Sequence, residues 1–201
     1  MFLYGASGHA KVIIDILLKN QISINGLFDD NPQIKELSGV TCFGEFNLDI
    51  LKKDKLIVSI GNNIIRKNIV DKLMGNAIFG NAIDISAIIS QSVKIGKGTV
   101  IMPNTAINAD SLVGNHVIIN TSASVDHECI INDYVHISPN ATLCGNVIIG
   151  TSSHIGAGST VVPNIKIGKN VIIGAGSVVT KNIPDNYIAV GIPARKIKRN
   201  E

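Results

Sequence analysis

The chain has 201 residues, 45% of them apolar but only 4% aromatic, and no Trp. That length allows one large domain or two small ones, and the shortage of rings points to a core of stacked aliphatic side chains. The formal charge of +3 comes from scattered Lys and Arg, which excludes a concentrated polyanion-binding face and so a nucleic-acid partner.

The elements in chain order open with a short strand, Met1–Tyr4, and a turn, Gly5-Ala6-Ser7-Gly8-His9-Ala10. Lys11–Asn20 then carries Val12, Ile13, Ile16 and Leu17 at helical spacing. Ile24–Phe28 reads as a second strand that stops at Asp29-Asp30-Asn31-Pro32, Leu56–Ile60 as a third stopped by Gly61-Asn62-Asn63, and Ile64–Met74 as a helix closed by Gly75. Strands alternating with helices predict a Rossmann-like α/β unit with a parallel sheet over residues 1–80. Its Gly5–Ala10 turn is a partial dinucleotide fingerprint with two glycines where the full motif has three, and Asp29 and Asp30 follow about 20 residues on, where such a unit places its ribose-binding acid. A purely structural turn is the competing reading.

From Ile83 the pattern changes. Every sixth residue through Val179 is Ile, Val or Leu, seventeen positions without a break in a chain where these residues total 64 of 201. The residue four further on is small or β-branched throughout, and the residue directly after the aliphatic is often Gly or Asn, which suits corners because both tolerate positive φ. Six is three strand periods, so the aliphatic stays inward on each short flat segment before the chain turns to the next face. Three segments make a triangular coil, and the hexads predict a parallel β-helix of five to six coils over residues 81–181, with 182–201 as a tail. The basic cluster Arg195, Lys196, Lys198 and Arg199 in that tail reads as a solvated terminus.

Cys42, Cys129 and Cys144 are an odd set without C-x-x-C spacing, which argues against a disulfide framework and a zinc site and for a reducing compartment. No basic leader precedes the first strand and no apolar run approaches a membrane span, so a soluble cytoplasmic protein is expected.

The hexad pattern and the ending Gly191-Ile192-Pro193-Ala194-Arg195 resemble those of the hexapeptide-repeat acyltransferases, whose β-helix is left-handed. A closer match covers nearly the whole chain. The segments Gly5–His9, Ile60–Asn63, Asn120–Ser122 and His127-Glu128-Cys129 are similar to those of one subfamily, the sialic acid O-acetyltransferases and the nucleotide-sugar N-acetyltransferases that act on 4-amino-4,6-dideoxy sugars in bacterial glycan synthesis.

His127 lies two residues after inward Val125, at a corner, and so should point out of the prism. An imidazole titrates near the working pH and can take the proton of an attacking amine or hydroxyl, while Asp126 or Glu128 could orient it. The resemblance makes His127 the general base and Glu128 its partner. It places His136, Ala157 and Ala175 on acetyl-coenzyme A, and gives the Gly145 N–H to the oxyanion; a corner glycine kept only for its φ is the alternative for Gly145. It assigns the N-terminal unit to the nucleotide of the sugar donor, with Ser7, Gly8 and His9 at the diphosphate, Asp29 and Asp30 at base and ribose, and Val58 and Gly61 beside them. Cys129 sits at a small inward position and is not read as a nucleophile; His116 and His154 are read as structural.

The combined expectation is an acetyl-coenzyme A-dependent N-acetyltransferase of a nucleotide-linked amino sugar. It would work by direct attack, with acetyl-coenzyme A as co-substrate, no permanently bound cofactor and no metal. The resemblance also implies a homotrimer. An O-acetyltransferase of sialic acid or another sugar remains open, as does, in another class, a silent scaffold or nucleotide-sensing module, which would have no use for His127 and Glu128.

Overall fold

The computed structural model describes residues 1–200. Its N-terminal unit runs β1 (Phe2–Tyr4), α1 (Gly8–Lys19), β2 (Gly26–Phe28), β3 (Glu36–Leu37), β4 (Val40–Thr41), α2 (Leu48–Leu51), β5 (Lys55–Val58), α3 (Asn63–Leu73) and β6 (Ile78–Phe79). The order β2-β1-β5-β6 makes a parallel sheet, as the strand–helix alternation requires. α1 begins at Gly8, directly after extended Ser7 and earlier than the apolar spacing indicates. The hairpin β3–β4 was not anticipated; it turns on Ser38 and Gly39, both at positive φ, and its strands are too short for a period-2 pattern to register.

From Ala82 to Val179 each hexad becomes a two-residue strand ending in its aliphatic. Strands pair in parallel with those one coil away, Ile119 with Ile137 and Ile137 with Ile155, so one coil takes 18 residues. Three faces result. The first carries strands such as Ile118–Ile119, His136–Ile137 and His154–Ile155, the second Ser124–Val125 and Thr142–Leu143, the third Ile130–Ile131 and Ile148–Ile149. The ladder aliphatics from Ile101 to Val179 are at most 4% exposed, and the small residues four further on, among them Thr105, Ala123, Cys129 and Ser159, are buried with them. The rings sit elsewhere: Phe2, Phe28, Phe43 and Phe46 cluster in the N-terminal unit.

The corners work differently from the sequence expectation. Positive φ falls three residues after the aliphatic, at every corner from Gly98 to Gly176, with Asn or Asp at many of them. The glycine directly after the aliphatic answers a different constraint. A Cβ on Gly96 would lie 2.6 Å from the Gly114 backbone, and one on Gly156 2.6 Å from the Ala175 nitrogen, so these positions are small because the next coil passes too close.

The N-terminal unit packs on the first face. Ala10, Ile13, Ile14 and Leu17 of α1 share a cluster with Ala82, Val100, Met102 and Ile118, and Phe79 meets the His116 ring edge-on at 4.6 Å. Nor is the C-terminal segment loose. Tyr187–Val190 adds to the first face in parallel, and Arg195–Arg199 closes on it antiparallel, with Lys196 and Arg199 over the Tyr187 ring at 4.9 and 4.8 Å. The basic cluster is solvated as expected, but it lies on an ordered strand.

Ile137 is fully buried in this ladder. Ile137→Asp places an unpartnered carboxylate among aliphatics at a cost of several kcal/mol. The cooperative thermal transition seen by circular dichroism is expected to disappear; a variant that melts like the parent would contradict the inward register.

Candidate active site

His127 projects from the corner between the second and third faces, with 55% of its side chain exposed. Its backbone N–H donates to Asp126 Oδ1 at 2.8 Å, and that oxygen also accepts from Asn108 Nδ2 at 2.9 Å, which ties the corner to the coil before it. These two bonds hold the Asp126 carboxyl below the usual carboxylate range. His127 Nδ1 lies 3.1 Å from Glu128 Oε2. A carboxylate there accepts, so Nδ1 carries the proton and the Nε2 lone pair is free. Glu128 takes the corner's positive φ of 58° in place of the usual Asn or Gly, which turns its carboxylate back onto the ring.

The free nitrogen lies over Gly145, one coil further on. A Cβ on Gly145 would stand 2.6 Å from both Cε1 and Nε2 of His127. Gly145 has no positive φ, so backbone freedom does not account for it: the imidazole occupies the space a side chain would need. Among the described residues its N–H donates to no protein acceptor. The structure thus brings together His127, Glu128 and Gly145. Neighbouring Cys129 is fully buried with its thiol 3.2 Å from the Cys144 carbonyl oxygen, and burial pushes that thiol up, away from nucleophile chemistry.

The other candidates lie across the second face. Ala157 and Ala175 occupy the corner between the first and second faces on successive coils. His136 stands on the first face beneath the N-terminal unit. Its Nδ1–H donates to the Gly61 carbonyl at 3.2 Å and its Nε2 accepts from Asn120 Nδ2 at 3.0 Å. Both ring nitrogens are engaged, so a coenzyme reaches Nε2 only by displacing Asn120. The ring stacks on His154 at 4.7 Å and 5°, and His154 Nε2 meets Ser138 Oγ at 2.6 Å.

In the N-terminal unit the candidates gather at the carboxyl ends of β1, β2 and β5. Ser7 and Gly8 are exposed at the start of α1, and the Ser7 hydroxyl does not cap the helix. Asp29 accepts from the Ala6 N–H at 2.7 Å and from the Asn31 N–H at 2.9 Å, which braces the Gly5–Ser7 turn. Asp30 accepts from the Tyr4 hydroxyl at 2.6 Å. Val58 is 1% exposed against Val70 and Tyr134, so its side chain supports this region from beneath. Ser7, His9, Asp29 and Gly61 thus follow the carboxyl ends of these parallel strands, the edge at which open parallel sheets bind ligands.

An opening of about 300 Å³ lies between the start of α3 and the first face, lined by Gly61, Asn63, His136, Ser152 and His154. His154 and Asn63 were not anticipated as lining groups. Beside it, and equally unanticipated, Arg66 is 1% exposed and donates to six acceptors. One signal was available: Arg66 keeps the spacing of Val70 and Leu73, which puts it on the buried stripe of α3.

Comparison with known proteins shows the family. Residues 1–73 match the family described as the PglD N-terminal domain, and residues 146–181 match the bacterial transferase hexapeptide family. A variant of perosamine N-acetyltransferase from Caulobacter crescentus, solved with CoA and GDP-perosamine, is 36% identical with a TM-score of 0.94 over 98% of this chain and 96% of that one. The acetyltransferase domain of PglB from Neisseria gonorrhoeae, in complex with acetyl coenzyme A, is 32% identical with a TM-score of 0.91 over 98% of each chain. WeeI from Acinetobacter baumannii is 29% identical with a TM-score of 0.88 over 98% of each chain. An uncharacterised protein of Acanthamoeba polyphaga mimivirus is 41% identical over 113 residues, which span 55% of this chain and 23% of the viral protein. The chain belongs to the hexapeptide-repeat acetyltransferases of nucleotide sugars.

Two outcomes follow from the site. Gly145→Ala forces the half-exposed His127 ring into solvent, so turnover is expected to fall about a hundred-fold, the usual penalty for misplacing a reacting group by about 1 Å, with melting almost unchanged. Steady-state rates and a melt on the same sample decide it; full turnover would separate ring placement from Gly145.

Burial, foremost, presses His9 and His116 down to about 4 and His136 to about 3, and lowers His154 as well. Unfolded, each binds a proton near pH 6.5. Because the unfolded chain binds more protons, the histidine-linked stability is complete above about pH 6.5 and is lost as the pH falls toward 4. Melts at pH 7.5 and 5 should show the drop, and His116→Phe, which keeps the ring contacts with Tyr134 and Phe79, should reduce it. Equal slopes for parent and variant would rule out His116 as a contributor.

Proposed function

We propose that this protein transfers the acetyl group of acetyl-coenzyme A to the amine of a nucleotide-linked amino sugar, with a 4-amino-4,6-dideoxy sugar as the substrate class. One observation carries the mechanism: an imidazole oriented by Glu128 whose free Nε2 stands over the Gly145 backbone. The amine nitrogen attacks the thioester carbonyl carbon while His127 Nε2 accepts its proton. Negative charge gathers on the carbonyl oxygen, where the Gly145 N–H stabilises it. The carbon–sulfur bond then breaks and the imidazolium returns the proton to the departing thiolate, leaving an amide and coenzyme A. The preference for an amine over a hydroxyl acceptor rests on the similarity to perosamine N-acetyltransferase.

The nucleotide belongs, in this reading, to the edge at the carboxyl ends of β1, β2 and β5, with its diphosphate at the uncapped start of α1. That edge belongs to the unit packed on the first face, whereas the His127 corner is the far border of the second face. A second copy laid against that face would join them, and three-fold packing of flat-sided prisms would complete three such sites. The free thiols of Cys42, Cys129 and Cys144 fit a cytoplasmic setting.

The test is an acetylation assay with acetyl-coenzyme A and a panel of nucleotide-linked 4-amino sugars, followed by mass spectrometry. His127→Ala should cost about 10²–10⁴-fold in turnover with coenzyme binding and melting retained. A variant that keeps a third or more of wild-type turnover would remove His127 from the chemistry.

A further inference from the structure

Arg66 is a buried cation without a counter-ion. Among the described residues no carboxylate lies within ion-pair distance of it, and desolvation presses its pKa down to about 10. Adhesion alone would be served better by an apolar side chain, because an unpaired buried charge opposes folding. What the guanidinium supplies is a rigid fork of five donors, and its acceptors belong to two different parts of the molecule. Nη1 donates to the carbonyls of Ile60 at 2.9 Å and Gly61 at 3.2 Å, in the loop after β5. Nε donates to the His116 carbonyl at 2.9 Å and Nη2 to the Tyr134 carbonyl at 2.9 Å, on two successive coils. Nη2 also donates to Asn63 Oδ1 at 2.8 Å, and Asn63 Nδ2 donates onward to the carbonyls of Ser152 and Ser153 at 3.1 Å, on a third coil.

His116, Tyr134 and Ser152 are the same corner position on consecutive coils, 18 residues apart, and their carbonyls accept nothing from within the β-helix. The Gly61 carbonyl, in turn, accepts from both Arg66 and His136 Nδ1. The loop bordering the nucleotide-binding edge is therefore hung on one side chain that reaches two coils directly and a third through Asn63.

We propose that Arg66 is a positioning residue for the transfer reaction: it sets the register of the 60–63 loop against the β-helix and so holds the nucleotide-binding edge in place. This rests on the nucleotide-sugar reading above. Lysine keeps the charge but cannot span the acceptors, so Arg66→Lys tests the fork directly. The expected result is a cooperative melt, a KM for the nucleotide sugar raised roughly ten- to a hundred-fold, and a KM for acetyl-coenzyme A within about twofold of the parent.

Calorimetry with GDP, UDP and coenzyme A should show the same split. Arg66→Ala should recover part of its nucleotide affinity in millimolar methylguanidinium, which lysine-like charge alone cannot mimic. If neither Arg66 variant folds, Asn63→Ala decides, because it cuts the link to the third coil without stranding a charge and should raise the same constant. Equal losses for nucleotide and coenzyme, or no loss for either, would overturn the proposal. A parent protein that binds nucleoside diphosphate without acetylating any amino sugar would defeat the functional reading alone. A lysine variant that binds nucleotide as tightly as the parent would defeat this inference alone.

Discussion

A chain that advances one coil every 18 residues puts residue i against residue i + 18 at the separation of neighbouring strands. That constraint turns a one-dimensional count into a three-dimensional address. His127 and Gly145 meet because they are 18 apart, as do Ala157 and Ala175, and the carbonyls that Arg66 and Asn63 collect at 116, 134 and 152. Each corner therefore acts as a rail of equivalent positions, and a functional group is placed by choosing a coil and an edge. The inward aliphatics make the rail stiff, so a corner side chain with few contacts of its own is still held accurately.

Two kinds of smallness operate on these rails. Gly96, Gly150 and Gly156 are small because the backbone of the next coil leaves no room. Gly145 is small because a side chain, the His127 imidazole, has taken the room. The two cases look alike in sequence. The same holds for positive φ: most corners give that position to Asn, Asp or Gly, whereas Glu128 holds it where a carboxylate must fold back on its neighbour's ring.

Much of the fold could be read from the residues because its signal repeats. Seventeen hexads in one register tolerate no other period, and the strands of the N-terminal unit announce themselves through Gly and Asn-Pro stops. The outward, corner placement of His127 and its contact with a flanking carboxylate were legible from the hexad register. The hairpin at Glu36–Thr41 was not, since two-residue strands carry no pattern. Arg66 was missed for another reason: a charged residue on a helix is assumed to face water, and nothing in a linear sequence shows six carbonyl and amide oxygens converging on one point. His154 was read as structural, and its stacking on His136, a contact between residues 18 apart, is one that neither residue would reveal alone.

The antiparallel strand Arg195–Arg199 has a consequence for how the molecule behaves in a crowd. A stack of parallel coils ends in a row of unpaired backbone groups, and a second stack of the same sequence could dock there in register and extend it without limit. Here the first face finishes with a strand running the opposite way, fully exposed and carrying Arg195, Lys196, Lys198 and Arg199. An incoming parallel coil would meet reversed hydrogen-bond polarity and four like charges. The end of the first face is thereby closed to a further coil.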